Sequence, residues 1–255
     1  MATVRVLVLR APGVNCDEET AFAWEMVGAE AERIHVKRLI AQPALLDTFQ
    51  VLTIPGGFSY GDDIASGRIL ANQLAHHLGD AIAAFLDRGG LVLGICNGFQ
   101  VLVRMGLLPG ADCGVAATLT LNDSGRYEDR WVRLGATPSP CVFLEPGETL
   151  HLPVAHAEGK FLVAGGDIGL SALESRQRVA LKYLAAAGGE PRYPENPNGS
   201  IGNVAALTDA TGRVLGLMPH PERNILPTHP PDWTSGSAIA GQGARLFRRA
   251  VQHLR

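Results

Sequence analysis

Gly90-Leu91-Val92-Leu93-Gly94-Ile95-Cys96-Asn97-Gly98-Phe99-Gln100 is the stretch on which the fold of this chain turns. An apolar run of strand length ends in a cysteine. The pattern then changes to Phe99, Leu102 and Val103 at helical spacing, with Gly106 as a stop. Cys96 is therefore predicted at a strand-to-helix turn. Gly94 and Gly98, two residues before and two after it, remove side chains that would collide in so sharp a reversal, as in a nucleophile elbow with sulfur in place of the usual serine oxygen. At a helix N-terminus the unpaired N–H groups and the dipole favour a thiolate. A buried cysteine in a core strand is the alternative for a bare G-x-C-x-G.

Upstream, residues 3–9 form a short apolar run that ends at Pro12-Gly13, and Asn15 to Asp17 supply cap residues for a helix carrying Phe22, Met26 and Val27. Residues 32–36 read as a second strand, 43–49 as a short helix and 51–54 as a third strand. This β, α, β, α, β order predicts a parallel, doubly wound sheet. The third strand runs into Pro55-Gly56-Gly57-Phe58-Ser59-Tyr60-Gly61-Asp62-Asp63, and a glycine pair at the carboxyl end of a sheet strand lets backbone N–H groups approach a ligand. It is an oxyanion-hole candidate, with a plain turn as the alternative. From 66 to 88, Leu70, Leu74, Leu78, Ala81 and Phe85 keep helical spacing, with an interruption expected near Gly79; His76 and His77 read as surface residues of that helix. Cys16 is a rival nucleophile at a helix start, but Asp17, Glu18 and Glu19 beside it oppose a thiolate, which leaves a structural role at the cap.

Downstream of Leu108-Pro109-Gly110, short alternating segments at 116–121, 131–134 and 149–154 are separated by Gly, Pro, Asn and Asp turns, predicting an antiparallel β region packed on the same domain. His156-Ala157-Glu158-Gly159-Lys160 follows one of these segments and either lines a pocket or forms a solvated turn. Residues 185–203 make a long Gly-, Pro- and Asn-rich loop between strands at 179–183 and 204–207. The last strand, 214–218, enters Pro219-His220-Pro221-Glu222-Arg223. Pro221 biases His220 towards an extended backbone, so His220 and Glu222 are expected to project to the same side, as an acid-base imidazole and its orienting carboxylate would, with an exposed His and Glu in a proline-rich loop as the alternative. Residues 242–254 carry Leu246, Phe247, Ala250 and Val251 as an amphipathic covering helix.

Composition bounds the rest. A chain of 255 residues with 46% hydrophobic content is expected to form one α/β domain over 1–255 with a sizeable core. A net charge of −3 with scattered Lys and Arg offers no nucleic-acid footprint. Cys16, Cys96, Cys113 and Cys141 form no CxxC pair and no zinc-type cluster with histidine, so neither a disulfide framework nor a metal site is expected, and a reducing compartment fits. The chain opens directly on a strand without a signal-peptide pattern, and no apolar run reaches the ~20 residues of a membrane helix, so a soluble cytoplasmic protein is expected.

A thiol on an elbow, a glycine pair at one strand end and a His-x-Glu pair at another together meet the needs of acyl transfer through a thioester, with Gly57 and Asn97 offering N–H groups to the oxyanion. GICNGFQ with MPHPER resembles the class I (triad) glutamine amidotransferases, and PGGFSYGDD, LNDSGRYEDRWV, VAHAEGKF and NPNGS are similar to the glutaminase subunits of phosphoribosylformylglycinamidine synthases. The resemblance spans the chain. It implies glutamine as substrate, Cys96 as nucleophile, His220 and Glu222 as the rest of the triad, Gly57 and Asn97 as the oxyanion hole, and Gln100, Phe58, His156 and Glu158 as substrate-binding residues. It also implies that ammonia passes to an ATP-dependent synthetase subunit, with a small accessory subunit in the complex. No GxxxxGK[ST] loop is present, so ATP and Mg are expected on that partner. One departure is Val14 in Gly13-Val14-Asn15-Cys16, where the resemblance leads one to expect threonine. A cysteine hydrolase of the same α/β class and a non-catalytic binding subunit are the rival functions.

Overall fold

The predicted opening run is present in a computed structural model, which describes residues 3–236 and 241–255. β1 (Arg5–Arg10), α1 (Asp17–Glu25), β2 (Glu30–His35), α2 (Val36–Ala41) and β3 (Val51–Ile54) are followed by α3 (Arg68–Asp87), β4 (Leu91–Ile95) and α4 (Asn97–Arg104). The second half supplies β5 (Ala117–Thr120), β6 (Glu128–Ala136), β7 (Thr149–His156), β8 (Lys160–Val163), α5 (Asp167–Ser175), β9 (Val179–Leu184), β10 (Val204–Thr208), β11 (Val214–Leu217) and α6 (Ala244–His253). The main sheet has nine strands in the order β2-β1-β3-β4-β11-β10-β9-β6-β7. β2, β1, β3, β4 and β11 are parallel, and β10, β9, β6 and β7 continue the same sheet antiparallel.

Every residue of β3, β4, β10 and β11 is buried, as expected of strands covered on both faces. The cysteine strand β4 lies between β3 and β11, with Gly94 opposite both Ile54 and Gly216. The ends of three strands are thereby gathered at one edge. The antiparallel region extends this sheet instead of packing on it as a separate layer; only β5 and β8 form a second, two-stranded sheet. β7, the last strand of the main sheet, returns to the centre, because His220 N–H bonds to Pro153 O of β7 at 2.8 Å.

Three expectations differ from what is observed. Phe22 of α1 and Met26 just past its end are 43% and 49% exposed, and only Val27 of the expected three packs partly on the core, while Thr20, Ala21, Ala23 and Trp24 face inward. Trp24 decides the rotation: its Nε1–H donates to the buried Thr53 Oγ1 at 3.0 Å and its ring meets Phe247 of α6 edge-on at 5.0 Å. α3 runs unbroken through Gly79, where a Cβ would meet nothing within 4 Å, so the glycine only weakens the helix by about 1 kcal/mol. The segment 43–49 is a 3-10 turn at Pro43–Thr48, and α2, whose start is capped by the His35 side chain accepting from Lys37 N–H, carries the helical crossover.

The long loop before β10 is ordered by side chains standing in for backbone pairing. Ser200 Oγ accepts from Phe161 N–H at 2.9 Å and bonds Asn198 Oδ1 at 2.7 Å, and Asn196 Nδ2 donates to Asn203 Oδ1 at 2.8 Å. That is the physical content of the Asn-Pro-Asn-Gly-Ser segment. α6 buries Leu246, Phe247, Ala250 and Val251 as predicted.

Candidate active site

Cys96 sits between β4 and α4 with φ +50° and ψ −103°, an uncommon backbone for a side-chain-bearing residue that costs about 1–3 kcal/mol and is typical of functional turns. Neighbouring strands hold it there: its N–H bonds to Leu217 O of β11 at 2.7 Å. The glycines of the elbow have a specific reason. A Cβ on Gly98 would lie 1.9 Å from Ile54 O, so α4 can start this close to β3 only with hydrogen at that position. The thiol is 5% exposed, and Sγ lies 3.7 Å from Ala155 O of β7. Unpaired N–H groups of the first turn of α4 lie beside it, where negative charge is favourable.

His220 follows β11, the strand next to β4, and Glu222 follows two residues later. His220 Nδ1 and Glu222 Oε1 are 2.5 Å apart, and both residues are 1% exposed. The pairing is made differently from the expected extended segment. His220 is extended, but Pro221–Arg223 forms a 3-10 turn closed by Arg223 N–H to His220 O at 3.2 Å, and that turn swings the carboxylate back onto the ring. Burial pushes the imidazole's proton affinity down, but the Glu222 carboxylate and the Cys96 sulfur outweigh it, and the result is well above the ordinary histidine value. His220 Nε2 is buried without a hydrogen-bond partner among the described residues, and the sulfurs of Cys96 and Cys16 both raise the ring's proton affinity.

Gly57 ends the approach of β3 with φ +133°; a Cβ there would lie 2.7 Å from Asn15 N and 2.9 Å from Gly13 O. The strand end is thus backed by the loop that precedes α1. Asn97 is the first residue of α4, so its N–H belongs to the unpaired first turn. Its side chain is a hub: Oδ1 accepts from Ser59 N–H at 3.3 Å, and Nδ2 donates to Asp62 Oδ1 at 3.1 Å and Gln100 Oε1 at 2.9 Å. Gln100 in turn donates Nε2–H to Glu158 O at 2.6 Å. Both ends of the Gln100 amide are bonded to protein, so what it visibly does is fix the 156–160 segment against the elbow.

His156 is 3% exposed, with Nδ1 3.1 Å from Asn122 Oδ1 and Nε2 unpartnered among the described residues. Burial and the neighbouring His220 push its pKa down to about 3, so it is a neutral ring. Glu158 accepts from Ser66 N–H at 3.3 Å, and its charge, after burial, raises the Asp62 carboxyl. Phe58, 43% exposed, stands at the rim with its ring 6.3 Å from that of Tyr127.

Sequence reasoning missed two participants, Tyr127 and Asn122, and gave a third, Cys16, a role at the helix cap that its side chain does not have. Tyr127 has its phenol raised by burial and by the Cys96 sulfur, which puts it in the neighbourhood of Cys96. Asn122 ties His156 to Gly159 N–H, at 3.0 Å. Cys16 makes no cap bond with its side chain; its sulfur turns to the triad instead and accepts from Arg223 Nη2 at 3.1 Å. Burial pushes the Cys16 thiol up, which argues against a nucleophile there. Both Asn122 and Tyr127 lie in a segment already singled out, but nothing local gives their direction. Cys16, His220 and Glu222 have potential metal-ligating atoms within 4.8 Å of one another, but the histidine nitrogen facing Glu222 is engaged by that carboxylate.

The family model described as a CobB/CobQ-like glutamine amidotransferase domain matches residues 3–254. The chain is 44% identical over 260 residues to phosphoribosylformylglycinamidine synthase subunit PurQ of Dehalococcoides mccartyi, covering 100% of this chain and 99% of that protein. It is 37% identical over 254 residues to the protein of the same name from Methanococcus maripaludis, covering 98% and 93%. Among solved structures, a chain of PurLQS from Thermotoga maritima superposes with a TM-score of 0.75 at 29% identity over 100% of both chains. A glutamine amidotransferase from Thermotoga maritima, at 14% identity and a TM-score of 0.55 over 100% of this chain and 98% of that one, shares the fold.

Proposed function

This chain belongs to the CobB/CobQ-like glutamine amidotransferase family, and from that premise we propose that it is the glutaminase subunit of a phosphoribosylformylglycinamidine synthase, hydrolysing glutamine through Cys96 and passing the ammonia to a synthetase subunit. The observation that carries the chemistry is the buried 2.5 Å contact of His220 Nδ1 with Glu222 Oε1 beside a cysteine held in a strained elbow. Cys96 Sγ attacks the side-chain amide carbon of glutamine, and the oxyanion that forms is received by the N–H groups of Gly57 and Asn97, each contributing about 3 kcal/mol to the transition state. His220 carries the proton of the thiol to the departing ammonia, leaving a γ-glutamyl thioester on Cys96. Water, losing its proton to His220, then attacks the thioester; glutamate leaves and the thiol takes back its proton. Glu222 holds the imidazole in the tautomer these transfers need.

Glutamine binds between Phe58 at the rim and the 156–160 segment, where His156 supplies a neutral imidazole and Gln100 holds the Glu158 backbone in place. ATP and Mg belong to the synthetase, in keeping with a sequence that has no phosphate-cradling GxxxxGK[ST] loop. A small accessory subunit completes the complex, and the isolated glutaminase is slow until its partner engages it. No helix among the described residues is long and apolar enough to cross a membrane. Four free, buried cysteines suit the reducing cytoplasm, where we place the enzyme. The test is reconstitution with the synthetase: Cys96→Ala abolishes glutamine-dependent synthesis and leaves ammonia-dependent synthesis intact. Equal loss of both refutes the assignment.

A further inference from the structure

The His220–Glu222 pair is backed by a thiol that the mechanism above does not use. Cys16 is 1% exposed at the start of α1. Gly56 explains how its sulfur comes so close to the triad: a Cβ on Gly56 would stand 2.8 Å from His220 Cε1 and 3.2 Å from Cys16 Sγ, so hydrogen at that position lets ring and thiol share one side of the strand end. The Cys16 N–H bonds to Gly56 O at 3.4 Å.

Arg223 is what gives the sulfur a task. It is adjacent in sequence to Glu222, whose Oε2 is buried without a hydrogen-bond partner among the described residues. An arginine beside a half-satisfied buried carboxylate is expected to close on it as a two-pronged pair. Instead its Nε stays 3.9 Å from Glu222 Oε1, its Nη2 donates to Cys16 Sγ at 3.1 Å, and Glu19 Oε1 draws it outward from 3.7 Å. A guanidinium forked onto Glu222 would compete for the lone pairs that receive His220 Nδ1–H and would weaken the carboxylate's hold on the imidazolium.

We propose that Cys16 is a positioning residue: its sulfur holds Arg223 off Glu222 and so keeps that carboxylate committed to His220. The assignment rests on the amidotransferase function above. The other groups that bear on the ring are Cys96 from the elbow, His156 from β7, Tyr127 from the loop before β6 and the Cys16 sulfur itself, which raises the ring's proton affinity directly as well as through Arg223. Without the sulfur, Arg223 moves onto Glu222 and the imidazolium gives up its proton at lower pH.

The reconstituted complex tests this. Cys16→Ala is expected to lower glutamine-dependent kcat/KM by ~10-fold and to move the alkaline limb of its pH profile down by about one unit, with ammonia-dependent synthesis unchanged. Cys16→Ser keeps an acceptor for Arg223 and recovers most of the loss. Adding Arg223→Gln to Cys16→Ala moves the alkaline limb back towards its original position, because no guanidinium remains to capture Glu222; only the part owed to the sulfur's direct contact with the ring stays displaced, whereas two merely structural defects would add instead. Should Cys16→Ala not fold, Cys16→Val fills the volume, lacks the acceptor and is expected to show the same displacement. A parent-like profile in the Ala or Val variant, or simple additivity in the double variant, overturns the proposal. Glutamine-dependent synthesis that survives Cys96→Ala would instead overturn the amidotransferase function itself.

Discussion

His220 Nδ1 stands 2.5 Å from Glu222 Oε1 in a pocket where each residue is 1% exposed, so the carboxylate has one principal task, to hold and charge the imidazole. Glu222→Gln keeps the shape and removes the charge. Glutamine-dependent kcat should fall on the order of 10⁴-fold, as when an orienting carboxylate is replaced by its amide in other triads, while ammonia-dependent synthesis persists. Steady-state rates with the two nitrogen donors check this, and a loss below tenfold counts against the triad.

The two buried histidines pull stability in opposite directions with pH. His220 has its proton affinity raised on folding, so its contribution is complete below the ordinary histidine value and fades as pH rises through the folded-state value. His156 is pushed down to about 3, so the unfolded chain takes a proton that the folded chain refuses as pH falls from 6.5 towards 3. Over that window His156 should cost about 1.4 kcal/mol of stability per unit. Urea midpoints measured against pH for the parent and for His156→Gln should converge towards acid; parallel curves would show that the ring is not held neutral.

The elbow's closeness to β3 predicts a contrast between two glycines. Gly98→Ala forces a methyl to within 1.9 Å of Ile54 O, so it should destabilise the protein by about 1–3 kcal/mol and displace Cys96, with glutamine turnover falling more than ~10-fold. Gly79→Ala meets nothing within 4 Å and should stabilise α3 by about 0.5–1 kcal/mol. Thermal melts of both variants give the comparison.

The orientation of α1 can be tested in the same way. Trp24→Ala removes a fully buried ring and its hydrogen bond to Thr53, and should cost about 3–5 kcal/mol. Phe22→Ser, at a position 43% exposed, should change stability by about 0.5 kcal/mol or less. Comparable losses at the two sites would place the helix the other way round.

How far local pattern reaches is clear from particular elements. The parallel half was legible because strands buried on both faces are unbroken apolar runs: 51–54 was read at its observed limits, and the elbow followed from the change of period at Cys96. Cys96, the glycine pair and His220 with Glu222 carried local signatures too. The face of α1 did not, because the choice between Phe22 and Trp24 depends on Thr53 and Phe247, distant in sequence. Nor did α5, which nothing in the Asp167–Ser175 pattern had marked.

The sequence by itself determined the α/β class and the parallel core and singled out Cys96, His220 and Glu222, because strand and helix periodicity, glycine spacing and the chemistry of side chains are properties of neighbours along the chain. Only the tertiary structure decided that β3, β4 and β11 lie side by side so that their ends form one site, that β7 curls back to Cys96 and His220, and that Cys16 meets Arg223 behind the triad. Those are long-range contacts. They depend on which strands pair and how the sheet bends, and no short stretch of sequence carries the energy differences that settle those choices.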